Sequence, residues 1–188
     1  MQNDHENKNS SIFKITLNLT AVCLVSGIII AIVYYLTLAT IERRQLEIRN
    51  STMKNLVPNA DNFIPAEKKT DWFKAVKKGE LIAYIVPSES KGYGGIIKLL
   101  TAITPDGKVL NFSILDSKET PGLGDRASKE PFRSQFIGKS AENMIVTKDP
   151  GNKNDIQAIS GATITSRAVT LGVKKAIIQI NDFLQKAK

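Results

Sequence analysis

The residues with the clearest chemical potential lie in one short segment, residues 155–167, which reads DIQAISGATITSR. At its centre Ser160, Gly161 and Ala162 carry little side-chain bulk, so the backbone there can approach a ligand closely. Thr163 then provides one projecting hydroxyl oxygen. This order of small residues and a hydroxyl indicates a place where the backbone comes close to a bound group.

A helix is predicted directly after this segment, with Thr165 or Ser166 as its N-cap. The apolar residues recur at helical spacing and predict an amphipathic helix: Val169, Val173, Ala176, Ile177, Ile180, Phe183 and Leu184. A helix N-terminus behind a glycine turn offers N–H groups without intrahelical partners and the positive end of the helix dipole. The segment therefore favours a phosphate group, although an ordinary capped helix behind a glycine turn has the same pattern.

The run SGATITS resembles the flavinylation motif of the FMN-binding domain family. That domain occurs in the G subunit of the Rnf ion-translocating ferredoxin–NAD oxidoreductase and in the C subunit of the sodium-pumping NADH:quinone reductase. In the family, the threonine that ends S-G-A-T carries FMN through a phosphoester bond. The resemblance implies covalent FMN at Thr163, with the other fitting motif residues near the cofactor: Ser160, Gly161, Ala162, Thr165 and Ser166.

A second segment, residues 117–126 or SKETPGLGDR, also resembles the family. The family has the same E-T-P-G-L-G loop, which lies against the flavin ring. The resemblance therefore implies that Glu119, Thr120, Leu123 and Gly124 contact the ring, with leucine covering an apolar ring face. Without the resemblance, the loop reads as a hairpin connection that binds nothing.

The turn Gly92-Tyr93-Gly94-Gly95 matches a third family feature, a glycine turn before a strand. The resemblance implies that Tyr93 stacks near the flavin. A hairpin turn with a packed tyrosine is the alternative interpretation.

The sequence departs from the family pattern at two positions. Ser117 stands where the family often has a histidine, which argues against a proton role for a histidine there. Gln157 stands where the family usually has an acid that helps the flavin transferase recognise its site. Asp155, two residues earlier, is the available substitute.

Alternation and turn signals predict an α+β domain over residues 71–188, built on an antiparallel sheet with a C-terminal helix. The predicted elements are strands at 72–76, 81–86 (ending at Pro87), 96–104, 109–115 and 144–147, turns at 77–80 and 105–107, a flexible glycine segment at 88–95, and a short helix at 131–137.

The N-terminal part predicts a polar, disordered tail at 1–12 and a transmembrane helix at 13–41. Residues 15–41 form an uncharged run. As a helix, this run is long enough to cross a hydrocarbon core of about 30 Å, and it is longer than the apolar core of a cleaved signal sequence. Residues 42–70 are predicted as a helical stalk, ended by Pro58, and a polar linker. The lipid bilayer is thus the first expected partner.

Orientation in the membrane is open to two interpretations. More basic residues follow the span than precede it, and a positive-inside count would place the C-terminal side in the cytoplasm. The resemblance implies the opposite, because family members hold this domain on the extracytoplasmic side of the inner membrane, and large domains can be translocated regardless of flanking charge.

Composition excludes several other classes of site. The formal net charge is +8, and its whole excess lies after residue 41, yet no long basic block or groove-reading element favours nucleic acid. One cysteine, Cys23, excludes an intrachain disulfide. A single histidine, His5, argues against a His/Cys metal site.

The apolar span predicts a membrane anchor, and the family resemblance implies an electron-transfer subunit. The resemblance implies FMN, a maturing FAD-dependent flavin transferase, and membrane and iron–sulfur subunits of an Rnf complex as partners. The G subunit of Rnf is favoured over the C subunit of the quinone reductase because the chain is short. A non-redox scaffold that binds an envelope polymer and an FMN-binding sensory domain remain alternatives, and the sequence supplies no nucleophile–base pair for independent catalysis.

Overall fold

A computed structural model describes residues 3–66 and 71–186, and these form two compact units, Met1–Glu47 and Ile48–Lys188. Helix α1 runs over Asn3–Leu56. Its stretch Phe13–Leu38 is long and apolar enough to cross a membrane, and none of it is buried. α1 thus includes residues 3–12 of the segment that the sequence predicts as a polar tail, and residues added to an existing helix need no new nucleus.

The second unit is built on an antiparallel sheet, as the sequence predicts, and this sheet has five strands. Each strand pairs with the next along the chain, so the sheet order is the chain order. The strands are β1 (Asn62–Pro65), β2 (Phe73–Lys77), β3 (Glu80–Lys91), β4 (Ile96–Ile103) and β5 (Val109–Asp116).

Both faces of this sheet are covered by apolar side chains. On one face lies helix α2, which runs over Thr163–Lys186 and buries Val169, Val173 and Ile177. The other face holds a smaller cluster with the last turn of α1, in which Met53 and Leu56 are buried. Met53 and Leu56, which the sequence predicts as part of a stalk, therefore belong to the core of this domain.

Short elements connect the sheet to α2. Three 3-10 helices, Gly124–Ser128, Arg133–Phe136 and Ala141–Asn143, precede a pair of two-residue parallel strands, β6 (Val146–Thr147) and β7 (Ile156–Gln157). The ring of Phe136 lies 4.7 Å from that of Phe112 and 5.2 Å from that of Phe132, measured between centroids. These contacts pack the 3-10 helix Arg133–Phe136 and the residue before it against β5.

Two strand predictions were wrong. β3 does not stop at Pro87 but continues to Lys91, replacing half of the predicted flexible segment. Its pairing with β2 ends at Ile85, so beyond that point β3 has a neighbour on one side only, where proline is tolerated. The stretch predicted as a linker contains β1, which adds to the sheet edge, while residues 67–70 lie outside the described residues.

Candidate functional site

A cleft of about 580 Å³ lies where three loop segments meet the first turn of α2. It brings together nine of the eleven residues that the sequence singles out: Tyr93, Glu119, Thr120, Leu123, Gly124, Gly161, Ala162, Thr163 and Thr165. These residues come from the β3–β4 turn, the loop after β5, the loop before α2 and the first turn of α2. Its tenth lining residue, Ile164, is the one that the sequence reasoning missed.

Glycines let these segments approach each other closely. Gly161 has a φ of +79°, which an L side chain rarely adopts, and a Cβ there would lie 3.2 Å from Leu123 Cδ2. A Cβ on Gly124 would lie 2.6 Å from Glu119 Cβ and 3.1 Å from Thr165 Oγ1. Side chains at these two positions would push the cleft walls apart.

Glu119 joins two of the cleft walls by hydrogen bonds. Its Oε1 accepts a bond from the Gly94 backbone N–H at 2.9 Å, and its Oε2 accepts one from the Thr165 hydroxyl. The β3–β4 turn is therefore tied to the start of α2 through one carboxylate.

The start of α2 corrects the predicted N-cap. The helix begins at Thr163, so neither Thr165 nor Ser166 caps it. Ser166 is fully buried, and its Oγ accepts a bond from Ile159 N at 3.0 Å and donates to Ala162 O at 2.9 Å. The hydroxyl thus closes the loop before the helix instead of capping its first turn.

Thr163 is half-buried and lines the cleft at the helix start. The first backbone bond of this turn joins Ser166 N to Ala162 O at 2.9 Å. The N–H groups of Thr163, Ile164 and Thr165 precede that bond, at the positive end of the helix. An anionic group bonded to the Thr163 oxygen would be stabilised there.

Three apolar side chains line the same cleft and stay exposed: Tyr93 at 71%, Leu123 at 42% and Ile164 at 54% of their surface. Ile164 could have been recognised from the sequence as a cleft candidate. At helical spacing it does not lie on the same face as the apolar stripe of Val169, Val173 and Ile177. An apolar residue on the outer side of an amphipathic helix is a candidate for contact with something other than the core.

Two predicted residues lie outside the cleft. Ser166 is buried below it, and Ser160 is exposed and lines a second cavity of about 320 Å³. Gln157 lines this second cavity as well. The loop before α2 therefore separates the two cavities. Ser160 lines the second cavity, and residues 161–165 line the cleft.

Lys139 anchors the turn that leads into this loop. Its Nζ donates to the carbonyl oxygens of Lys153 at 2.8 Å and Asp155 at 3.1 Å, and also to that of Asn154. Burial lowers the pKa of Lys139. The Asp155 carboxylate accepts a bond from Asn152 Nδ2 at 2.7 Å, so it is engaged within its own turn.

Comparison with known proteins identifies the family. Residues 92–178 match the FMN-binding domain model. The G subunit of the proton-translocating ferredoxin:NAD(+) oxidoreductase complex of Clostridium ljungdahlii is 55% identical over 174 residues, which cover 93% of this chain and 94% of that protein. The chain belongs to the G-subunit family of ion-translocating ferredoxin:NAD(+) oxidoreductase complexes.

A second relative agrees with this assignment, and a solved structure shares the fold. The G subunit of the Na(+)-translocating complex of Acetobacterium woodii is 34% identical, over 88% of this chain and 90% of its own length. The crystal structure of NqrC from Shewanella oneidensis has a TM-score of 0.51 at 22% identity, covering 69% of this chain and 73% of that one. That likeness shows a shared fold.

The cleft of this family member suits an FMN group chemically. Its volume lies in the range of small-molecule sites, about 300–1,000 Å³. Apolar side chains are available for the faces of a flat ring, and a helix N-terminus and a hydroxyl are available for a phosphate. Tyr93, Leu123 and Ile164 would hold the ring, and Thr163 the phosphate.

Proposed function

We propose that this family member is a membrane-anchored electron-transfer subunit of an Rnf complex and carries FMN on Thr163 through a phosphoester bond. FMN accepts and donates one or two electrons, and the protein sets its potential through packing and charge near the ring. The observation that carries the proposal is the position of Thr163, which lines the cleft at the N-terminus of α2.

Two other threonines line the cleft, and their surroundings favour Thr163 over both. Thr165 is 2% exposed, and its hydroxyl donates to Glu119, so a modifying enzyme would have to break that contact to reach it. Thr120 lies in the loop after β5 and not in the first turn of α2; the helix that follows it, Gly124–Ser128, is a short 3-10 helix, and the Thr120 carbonyl already accepts its first N–H, that of Gly124, at 2.9 Å. Thr163 alone combines access with an environment that stabilises a phosphate.

The chain's own residues then have defined tasks. The loop glycines hold the walls together, and Leu123 and Ile164 exclude water from the apolar part of the cleft. The segment Phe13–Leu38 anchors the chain in the inner membrane, with the domain on the extracytoplasmic side. An FAD-dependent flavin transferase attaches the cofactor, and electrons pass between membrane and iron–sulfur subunits of the same complex.

The decisive experiment is ultraviolet fluorescence on a denaturing gel. The full chain, expressed in its own host, is compared with Thr163→Ala, with Thr120→Ala at the exposed cleft threonine and with Thr147→Ala outside the cleft. We expect fluorescence that survives denaturation in the wild type and both controls and is lost completely in Thr163→Ala.

Fluorescence in the Thr163→Ala band would show that the flavin is attached to another residue. A dark wild-type band in a host with an active transferase would remove the redox function, and a membrane-anchored scaffold would become the leading interpretation.

A further inference from the structure

The cleft contains a carboxylate where the proposed cofactor is itself anionic. Glu119 lines the cleft and is half-buried. Three ion pairs form within residues 3–66 and 71–186, and Glu119 belongs to none of them. A negative charge without an ion-pair partner among the described residues disfavours further negative charge nearby. The presence of Glu119 beside an anionic cofactor therefore needs a structural reason.

The hydrogen bonds of Glu119 give that reason. One oxygen receives the Gly94 N–H and the other receives the Thr165 hydroxyl, so the side chain spans from the β3–β4 turn to the first turn of α2. Bonds to an ionised carboxylate are stronger than those between neutral groups. Gly92 packs so closely on Glu119 Oε1 that any side chain there would collide with it.

Gly124 closes the other side of the same carboxylate. A Cβ at Gly124 would lie 3.0 Å from Glu119 Oε2, so the glycine leaves just enough room for the acid. Glycines on both sides and two donors that converge on it show that the surrounding chain is fitted to this side chain.

We propose that Glu119 is a positioning residue that holds the Gly94 turn against the start of α2, and that its negative charge opposes reduction of the cofactor. The first part depends only on contacts within the chain. The second part rests on the proposed function, because it needs FMN in the cleft.

Replacing Glu119 by glutamine separates the positioning role from the role of the charge. Its amide oxygen can accept the Gly94 N–H, and its NH₂ can donate to the Thr165 oxygen, since a hydroxyl both donates and accepts. Glu119→Gln therefore keeps both contacts and removes the charge. Glu119→Ala removes the two contacts as well as the charge. Glu142, an exposed acid outside the cleft, gives the matched controls Glu142→Gln and Glu142→Ala.

The first test is hydrogen exchange of the Gly94 amide in the full chain, expressed without a flavin transferase so that every variant lacks covalent flavin. We expect exchange to speed up about tenfold or more in Glu119→Ala, because a bond to a charged acceptor is lost. Glu119→Gln and Glu142→Ala should exchange nearly as the wild type does. Unchanged exchange in Glu119→Ala would overturn the positioning role.

The second test is a redox titration of the flavin-loaded chain. At a fixed applied potential, we expect the ratio of reduced to oxidised flavin to rise on the order of tenfold in Glu119→Gln, because a unit charge is removed from the cleft. Glu142→Gln should leave the ratio unchanged. An unchanged ratio in Glu119→Gln would overturn the role of the charge.

The two tests also separate this inference from the proposed function. If the wild-type chain carries no flavin, the proposed function and the role of the charge fail together. The exchange result would still decide whether Glu119 holds the two segments in place.

Discussion

At the scale of single residues, the surroundings of a group decide what it can do. Three threonines line the cleft, yet one is half-buried at a helix N-terminus, one is bonded to Glu119, and one lies in a loop. The motif before α2 singled out neighbouring residues that line one cleft, because residues close in the chain stay close in space. The bond from Thr165 to Glu119 joins residues 46 positions apart, so no local pattern could predict it.

Gln157 offers a test of how the modifying enzyme recognises this chain. Its backbone is held by Gln135, whose Oε1 accepts the Gln157 N–H at 2.7 Å, while its side chain is exposed. A change of side chain therefore leaves that bond in place. If an acid at this position aids recognition, Gln157→Asp should raise the fraction of chains that carry flavin, measured as gel fluorescence per protein at limiting transferase.

Asp155→Asn is the matched control for this prediction. Its carboxylate is engaged by Asn152, so we expect its neutralisation to change flavin occupancy little. A marked fall in Asp155→Asn would instead show that Asp155 serves as the recognised acid, and an unchanged Gln157→Asp would agree with that result.

Glu130 predicts a pH dependence of stability. Hydrogen bonding from Ser134 and, more weakly, from Arg133 lowers the pKa of Glu130 below its ordinary value of 4.5. The folded state therefore favours the carboxylate, so its contribution is present above the unfolded pKa and is lost as the pH falls through the lowered folded value. The difference in urea midpoint between wild type and Glu130→Gln, in detergent, should be positive at neutral pH and should shrink progressively as the solution is acidified below the ordinary glutamate pKa. A difference that stays constant on acidification would contradict this prediction.

At the scale of elements, the periodicity of the sequence predicted most strands and the buried stripe of α2. The β3–β4 and β4–β5 hairpins follow from alternation and from turn residues, which are local signals. The extension of β3 through Pro87 was missed because it depends on where β2 ends, a property of the pairing rather than of the segment. β1 was missed because four residues at a sheet edge carry little pattern of their own and are recognised as a strand only by their pairing with β2.

The approach of α2 to the sheet depends on Gly172. The glycine is buried in the middle of the helix, and a Cβ there would collide with Leu99 Cδ1. Alanine gains about 1 kcal/mol in helix preference over glycine, but overpacking a core costs about 1–3 kcal/mol. We expect Gly172→Ala to lower the free energy of unfolding, measured by urea titration, despite its better helix propensity.

Leu99→Val supplies the control for this contact. Shortening the side chain removes the atom that the new Cβ meets, so Leu99→Val with Gly172→Ala should lose less stability than the sum of the single losses. Additive losses would show that the collision is relieved elsewhere, and a more stable Gly172→Ala would show that α2 has room to move.

At the scale of the whole molecule, two units of different chemistry share one chain. The stretch Phe13–Leu38 is apolar and unburied, while the unit that begins at Ile48 has its own core on both faces of a sheet. The sequence predicted the span from composition alone. It placed the beginning of the domain at residue 71, whereas buried Met53 and Leu56 show that the core already includes the end of α1.

The side of the membrane is a property that flanking charge and family resemblance predict differently, and labelling can decide it. The single cysteine makes a clean background, because Cys23→Ser leaves no other thiol. Ser128 is exposed on the domain, so Ser128→Cys in that background reports on the domain, and Ser10→Cys reports on the other side of the span. With a membrane-impermeant maleimide on spheroplasts, we expect labelling at residue 128 and labelling at residue 10 only after lysis. The reverse pattern would place the domain in the cytoplasm, where positive-inside charge predicts it, and would require flavin attachment on that side.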